Sequence, residues 1–180
     1  MVLTDIEQMT LQRAQMFCIA AHGALKQTRK YTGEPYHVHP LEVASLLQAH
    51  ASFYSVDMLV AAMLHDVVED TGIELNTIDA YFGRMVMSYV ADLTDLTCLE
   101  DGNRAERKRI DNLRISQAKP NSKTIKLCDI IDNLRGVLES PDKDFVAMYY
   151  AEKREQLKYL KDGDPTLYNI AHSLAHGWKA

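Results

Sequence analysis

The chain has 180 residues, 47% of them hydrophobic and 25% charged, which excludes a disordered or fibrous protein and fits one packed domain, 1–180, of ordinary size. Its longest apolar stretch, 58–64, is far short of the ~20 residues a bilayer span needs, and acidic Asp5 and Glu7 stand where a secretory leader would be basic, so a cytoplasmic protein without a membrane partner is expected. A net charge of −5 argues against coating nucleic acid, and three cysteines (Cys18, Cys98, Cys128) without a CxxC pair argue against a disulfide framework or a cysteine zinc site.

Apolar residues recur at three-to-four spacing and alternating β-branched runs are missing, which predicts an all-α fold of about nine helices. The first helix starts near Thr4 or Asp5, carries Leu11, Ala14, Phe17, Cys18 and Ala21 on one face, and frays over 23–27. Gly33 and Pro35 mark 27–39 as a loop, and Pro40 suits the first position of a helix ending near His50. Ser55 caps a strongly apolar central helix, 56–69, which Thr71-Gly72 stops. Helices are expected at 77–82 and 84–96 around Gly83, then a loop at 99–103. Further helices follow at about 104–119, closed by Pro120, and about 122–138, closed by Ser140-Pro141. Asp142 or Asp144 caps a long helix to about Lys161, and 163–165 introduces a last one.

The central helix reads Val60-Ala-Ala-Met-Leu-His-Asp-Val-Val-Glu-Asp70, with four ionisable residues interrupting a buried pattern. Residues three or four apart share a helix face, so His65 lies over Glu69, and Asp66 over Glu69 and Asp70. Crowded carboxylates repel and are costly to desolvate, so the segment is either a metal site or a solvated helix end. A second segment, Lys126-Leu-Cys-Asp-Ile-Ile-Asp-Asn-Leu-Arg135, places Lys126, Asp129, Asp132 and Asn133 on one side of a helix; by itself it reads equally as a surface helix with Lys126 paired to Asp129 or Asp132. In the third, Arg29-Lys-Tyr-Thr-Gly-Glu-Pro-Tyr-His-Val-His-Pro40, His39 immediately precedes a helix, with Arg29 and Lys30 upstream. Together His39, His65, Asp66 and Asp129 make a set of two histidines and two aspartates.

This ordered set resembles the HD phosphohydrolase superfamily, and within it the hydrolase domain of RelA/SpoT-type alarmone enzymes, above all the small stand-alone alarmone hydrolases of metazoan SpoT-like type. The resemblance runs over about 20–150. It rests on Arg29-Lys30, Gly33-Glu-Pro-Tyr-His-Val-His-Pro40, Ala62-Met-Leu-His-Asp-Val-Val-Glu-Asp-Thr71, Phe82-Gly83, Glu106-Arg-Lys-Arg109, and Lys126-Leu-Cys-Asp129 with Asn133 and Arg135. It implies that His39, His65, Asp66 and Asp129 hold one divalent ion, usually manganese in this family; the donor set itself suits Mn, Fe, Co or Zn better than Mg. Glu69 and Asp70 match the acidic pair that positions and deprotonates the attacking water. Arg29, Lys30, Arg104, Asn133 and Tyr149 match positions that bind nucleotide, whereas 107–109 reads as a solvated basic face.

The implied reaction is hydrolysis of the 3′-diphosphate of (p)ppGpp to GDP or GTP and pyrophosphate, by a hydrolase acting without a synthetase domain. Alternatives are an HD phosphohydrolase of another nucleotide, such as (p)ppApp or the 2′-phosphate of NADPH, and a nucleotide-binding regulatory module without turnover. The expected partner is a small-molecule nucleotide, with no nucleic acid. Three positions depart from the family pattern: Ile130 where a basic residue is usual, Asp132 where histidine or tyrosine is usual, and Phe145 where arginine occurs. Each is expected to alter charge or polarity near the phosphate site.

Overall fold

In the computed structural model, which describes residues 3–178, the helices start where side chains can satisfy free backbone N–H groups. Thr4 opens α1 (Asp5–Ala24) with a capping box: its hydroxyl accepts from the Glu7 N–H, and the Glu7 carboxylate accepts from the Thr4 N–H at 2.8 Å. The loop at 25–37 leads into α2 (Val38–His50), and Ser55 caps α3 (Val56–Leu64). A break then separates α3 from the short α4 (Val67–Thr71), which Gly72 ends in the left-handed conformation at φ 73°. Next come α5 (Leu75–Phe82), α6 (Arg84–Leu93), and α7 (Arg104–Ser116) behind an Asn103–Glu106 capping box. Finally, α8 (Pro120–Gly136) and α10 (Pro165–Gly177) begin on prolines, while Asp142 caps α9 (Lys143–Leu157). No strand occurs among the described residues, only an isolated bridge between Thr28 and Pro35.

Several boundaries differ from those expected. The helix foreseen over 56–69 is two, which accounts for ten α segments against about nine. On an unbroken helix, neighbouring residues point about 100° apart. With His65 ending α3 and Asp66 at φ −96°, ψ −7° opening α4, both reach the same place. Helix α2 starts at Val38, two residues before Pro40, so His39 lies in its first turn rather than ahead of it. Thr94 is extended, so α6 stops at Leu93, and 99–101 form a 3₁₀ turn inside the expected loop. Pro120 opens α8 itself, after α7 has ended at Ser116. The expected bounds 1–180 include residues 1, 2, 179 and 180, outside those described.

Helix α3 is buried nearly all round, through Met58, Leu59, Val60, Ala61, Ala62 and Leu64, and packs against α1, α2, α6 and α8. On α8, Ile125, Leu127, Ile130, Ile131 and Leu134 have no exposed surface, and the helix packs against α2, α3, α6 and α10. Each such Leu or Ile contributes about 1.5–3 kcal/mol by leaving water. Helices packed in this way hold rigidly the polar groups they carry, at the end of α3 and in the middle of α8. No helix among the described residues is long and apolar enough to cross a membrane.

Candidate metal centre and nucleotide pocket

Four segments bring polar side chains to one point of this core: the first turn of α2 (His39), the α3–α4 break (His65, Asp66), α4 (Glu69, Asp70) and the middle of α8 (Asp129). His39, His65 and Asp129 are buried, with one ligand atom of each lying within 4.8 Å of the others. His39 Nε2 lies 3.2 Å from Asp129 Oδ1, and His65 Nε2 lies 3.8 Å from the same oxygen. Asp66 divides its carboxylate between the rings, Oδ1 3.2 Å from His65 Nε2 and Oδ2 3.6 Å from His39 Nε2.

Hydrogen bonds on the outer side of each ring set the tautomers. His65 Nδ1–H donates to the Ala62 carbonyl at 2.9 Å, and His39 Nδ1–H donates to Asp132 Oδ2 at 2.6 Å. Both Nε2 atoms therefore face the aspartates, and His65 Nε2, fully buried, has no hydrogen-bond partner. A buried nitrogen left bare beside two carboxylates is costly unless a cation completes it. The cluster of His39, His65 and Asp129, with Asp66 at its edge, fits a divalent metal ion.

The protein supplies part of the charge balance itself. Burial disfavours a charged His39, but hydrogen bonds to Asp129 and Asp132 outweigh it and push its pKa up to about 10; His65 is raised too, its burial outweighed by the carboxylate of Asp66. Burial is likewise overcome at Asp129, which Lys126 Nζ (2.8 Å) and the two imidazoles hold well below the usual carboxylate range. Lys126 thus pairs with Asp129, one of the two partners its spacing allowed. Asn133 donates to the inner oxygen of Asp129, and Tyr36 donates its hydroxyl to Asp66 Oδ2 at 2.7 Å.

The acidic pair lies beside the cluster with each carboxylate anchored. Glu69 accepts from the Asp95 N–H at 2.9 Å, and Asp70 accepts from Gln27 Nε2 at 2.8 Å. Partial burial, then repulsion from Asp66 and Asp95, pushes Glu69 up to about 7, and burial with Asp66 also raises Asp70. A carboxylate titrating near neutrality is suited to accept a proton from water.

A pocket of about 140 Å³ opens beside His39, lined by Arg29, Lys30, Tyr36, Asn133 and Tyr149. Four of the five expected nucleotide-binding residues meet there. Arg104 lies apart, on the groove across the Tyr149 wall, clasped by Glu152 at 2.6 and 2.9 Å. The expected solvated face at 107–109 is partly tied inward: Arg107 donates to the Gly102 carbonyl at 2.7 Å and Lys108 to Asp95 at 2.8 Å.

Of the three departures only Ile130 runs against expectation. Ile130 is wholly buried in the core, where it alters nothing at a phosphate site. Asp132 turns towards the metal cluster, accepting from His39 and also from Arg29 Nη2 at 2.7 Å. Phe145 gives Lys30 and Arg104 an aromatic face, 5.0 and 5.8 Å from its ring centre. Sequence reasoning did not assign Asp132, Tyr36, Gln27, Asp95 or Glu152. Tyr36 at least lay inside a quoted motif, whereas Gln27 and Asp95 carried no signal, because only the folded chain places them against the acidic pair.

Residues 14–162 match the HD domain family. The mouse and human guanosine-3′,5′-bis(diphosphate) 3′-pyrophosphohydrolases MESH1 are each 38% identical to this chain over 117 residues, a stretch covering 64% of this chain and 64% of theirs. The chain thus spans just under two thirds of the length of those relatives. The solved structure of a metazoan ortholog of SpoT that hydrolyzes ppGpp superposes with a TM-score of 0.84 over 98% of this chain and 97% of that one, at 24% identity, a likeness of fold.

Proposed function

The chain belongs to the HD domain family, and on that premise we propose that it is a metal-dependent pyrophosphohydrolase that cleaves the 3′-diphosphate of (p)ppGpp. The observation that carries the proposal is the convergence of two imidazole Nε2 atoms, that of His65 without a hydrogen-bond partner, with Asp66 and Asp129, next to an acid held near neutral pKa. The names of the mouse and human relatives support the substrate.

In this reading His39, His65, Asp66 and Asp129 hold the ion; the mixed nitrogen and oxygen donors suit Mn, Fe, Co or Zn, and manganese is the one usual in the family the sequence resembles. A bound divalent ion supplies Lewis acidity, lowering the pKa of coordinated water from ~15.7 towards about 7. Glu69 takes the proton of the attacking water and Asp70, steadied by Gln27, orients it. The water oxygen bonds to phosphorus, the bond from phosphorus to the 3′-oxygen breaks, and the leaving hydroxyl of GDP or GTP recovers a proton as pyrophosphate departs. Arg29, Lys30, Asn133 and Tyr149 hold the nucleoside side in the pocket beside His39.

The test is a manganese-supplemented panel of ppGpp, ppApp, NADPH and deoxynucleotides with products identified. Pyrophosphate released with GDP from ppGpp is expected. Orthophosphate with NADH as the main product would move the substrate to NADPH, and turnover of none of them would leave a binding module.

A further inference from the structure

A groove of about 570 Å³ lies between α7 and α9, and Tyr149 forms a wall of both this groove and the smaller pocket beside His39. That volume is in the range of cavities that hold organic ligands, ~300–1,000 Å³. Most charges on its walls are already matched: Arg104 by Glu152, Lys108 by Asp95, and Glu155 by Lys158. Two cations, Lys153 and Arg109, form no ion pair among the described residues.

Lys153 is the unusual one. It is only 9% exposed, yet its ammonium has just a neutral acceptor, Gln156 Oε1 at 3.0 Å, and the face of Tyr149 at 5.1 Å. Burial and the nearby Lys126 push its pKa down to about 8, the mark of a cation whose charge is under-compensated. Asn112, buried on the same wall, leaves its amide oxygen without a partner; exchanging the two ends of the amide presents N–H donors instead. Asp129 and Asp95 offset only part of the cost of burying Lys153, and an anion entering the groove removes more of it.

We propose that the groove between α7 and α9 is an anion-binding site, taking a phosphoryl or diphosphoryl group on Lys153 and Arg109, with Met148 and Tyr159 beside any organic portion the ligand carries. The phosphate has two possible sources, the far phosphates of a nucleotide seated across Tyr149 or a separate phosphorylated molecule. The site goes beyond the hydrolase reading, which assigns no role to Lys153, Arg109 or Asn112.

Calorimetric titration of the whole chain with inorganic pyrophosphate, without added metal, tests it. Lys153→Met is expected to weaken binding at least about tenfold and Arg109→Ala by about threefold, as charge-assisted hydrogen bonds are lost. Arg84→Ala, an exposed cation that does not line the groove, should stay within about twofold of wild type. Wild-type-like binding by both Lys153→Met and Arg109→Ala, or an equal loss in Arg84→Ala, overturns the site. Wild-type protein provides a check that needs no variant. Acetylation of Lys153 by acetic anhydride at pH 8, read by mass spectrometry, should slow several-fold with saturating pyrophosphate, and an unchanged rate overturns the proposal. Competition with ppGpp identifies the source: mutual exclusion assigns the groove to phosphates of the same nucleotide, simultaneous binding to a separate molecule, and either outcome supports the groove. None of these readouts involves hydrolysis, so the groove and the hydrolase reading fail separately.

Discussion

Asp132→Ala is expected to weaken metal binding by about 10–100-fold, the usual cost of removing the partner that orients a ligating histidine. One oxygen, Asp132 Oδ2, accepts both His39 Nδ1–H at 2.6 Å and Arg29 Nη2–H at 2.7 Å, and the carboxylate is only 8% exposed. Without it the His39 ring loses the bond that keeps its proton on Nδ1, and the tautomer carrying the proton on Nε2 cannot ligate. The expected loss corresponds to about 1.4–2.7 kcal/mol of binding free energy. Arg29 is also left without its carboxylate at 13% exposure, so the variant should melt lower even without metal. Competition for manganese against a chromogenic chelator measures the affinity, and thermal melts of the metal-free protein measure the second effect separately. Asp132→Asn, which keeps an acceptor oxygen, should fall between wild type and Asp132→Ala. Metal affinity of Asp132→Ala within twofold of wild type would refute the argument that the outer hydrogen bond sets the ligand.

Asp129→Asn should lose metal retention and catalysis together, and full manganese-dependent activity in that variant would remove Asp129 from the ligand set. Glu69→Gln should keep its metal, seen in metal analysis of the purified protein, while turnover falls by roughly 10²–10⁴-fold; an unchanged rate would place the base elsewhere. Asp164 caps α10 and accepts from the N–H groups of Ser52, Thr166 and Leu167 at 2.7, 2.9 and 3.0 Å, so Asp164→Ala should cost about 0.5–2 kcal/mol in denaturant unfolding. Burial would raise the Asp164 pKa, but the N–H donors outweigh it and lower it. Its contribution is therefore present above the ordinary carboxylate pKa and lost as pH falls through the lower folded value, and Asp164→Asn should flatten the acid side of the stability profile.

Much of the helical plan is readable along the chain, because capping and breaking are local. Thr4, Ser55, Asn103, Asp142 and Asp164 each satisfy the first N–H groups of the helix that follows them, and Gly72 and Gly83 sit at helix ends with positive φ. The acidic interruptions of apolar helices at 65–70 and 129–133 also stand out locally, since a buried helix face does not carry ionisable groups without cause. The break between His65 and Asp66 escaped notice because apolar periodicity continues across it: Leu64 and Val67 are both buried, and nothing in the neighbouring residues forbids a continuous helix.

What one strand of text cannot contain is which distant groups answer each other. Asp132 sits one turn beyond Asp129 on α8, and its spacing is equally compatible with a partner such as Arg135, with a nucleotide phosphate or with solvent. Only the packing of α2 and of the loop before it against α8 selects His39 and Arg29. Ile130 and Phe145, alike in sequence as lost positive charges, separate in the same way, one turned into the core and the other into the cation-lined wall. Local chemistry determined where helices begin and which residues are costly to bury; tertiary packing decided which of those costs are met by a partner, because the partners lie tens of residues away along the chain.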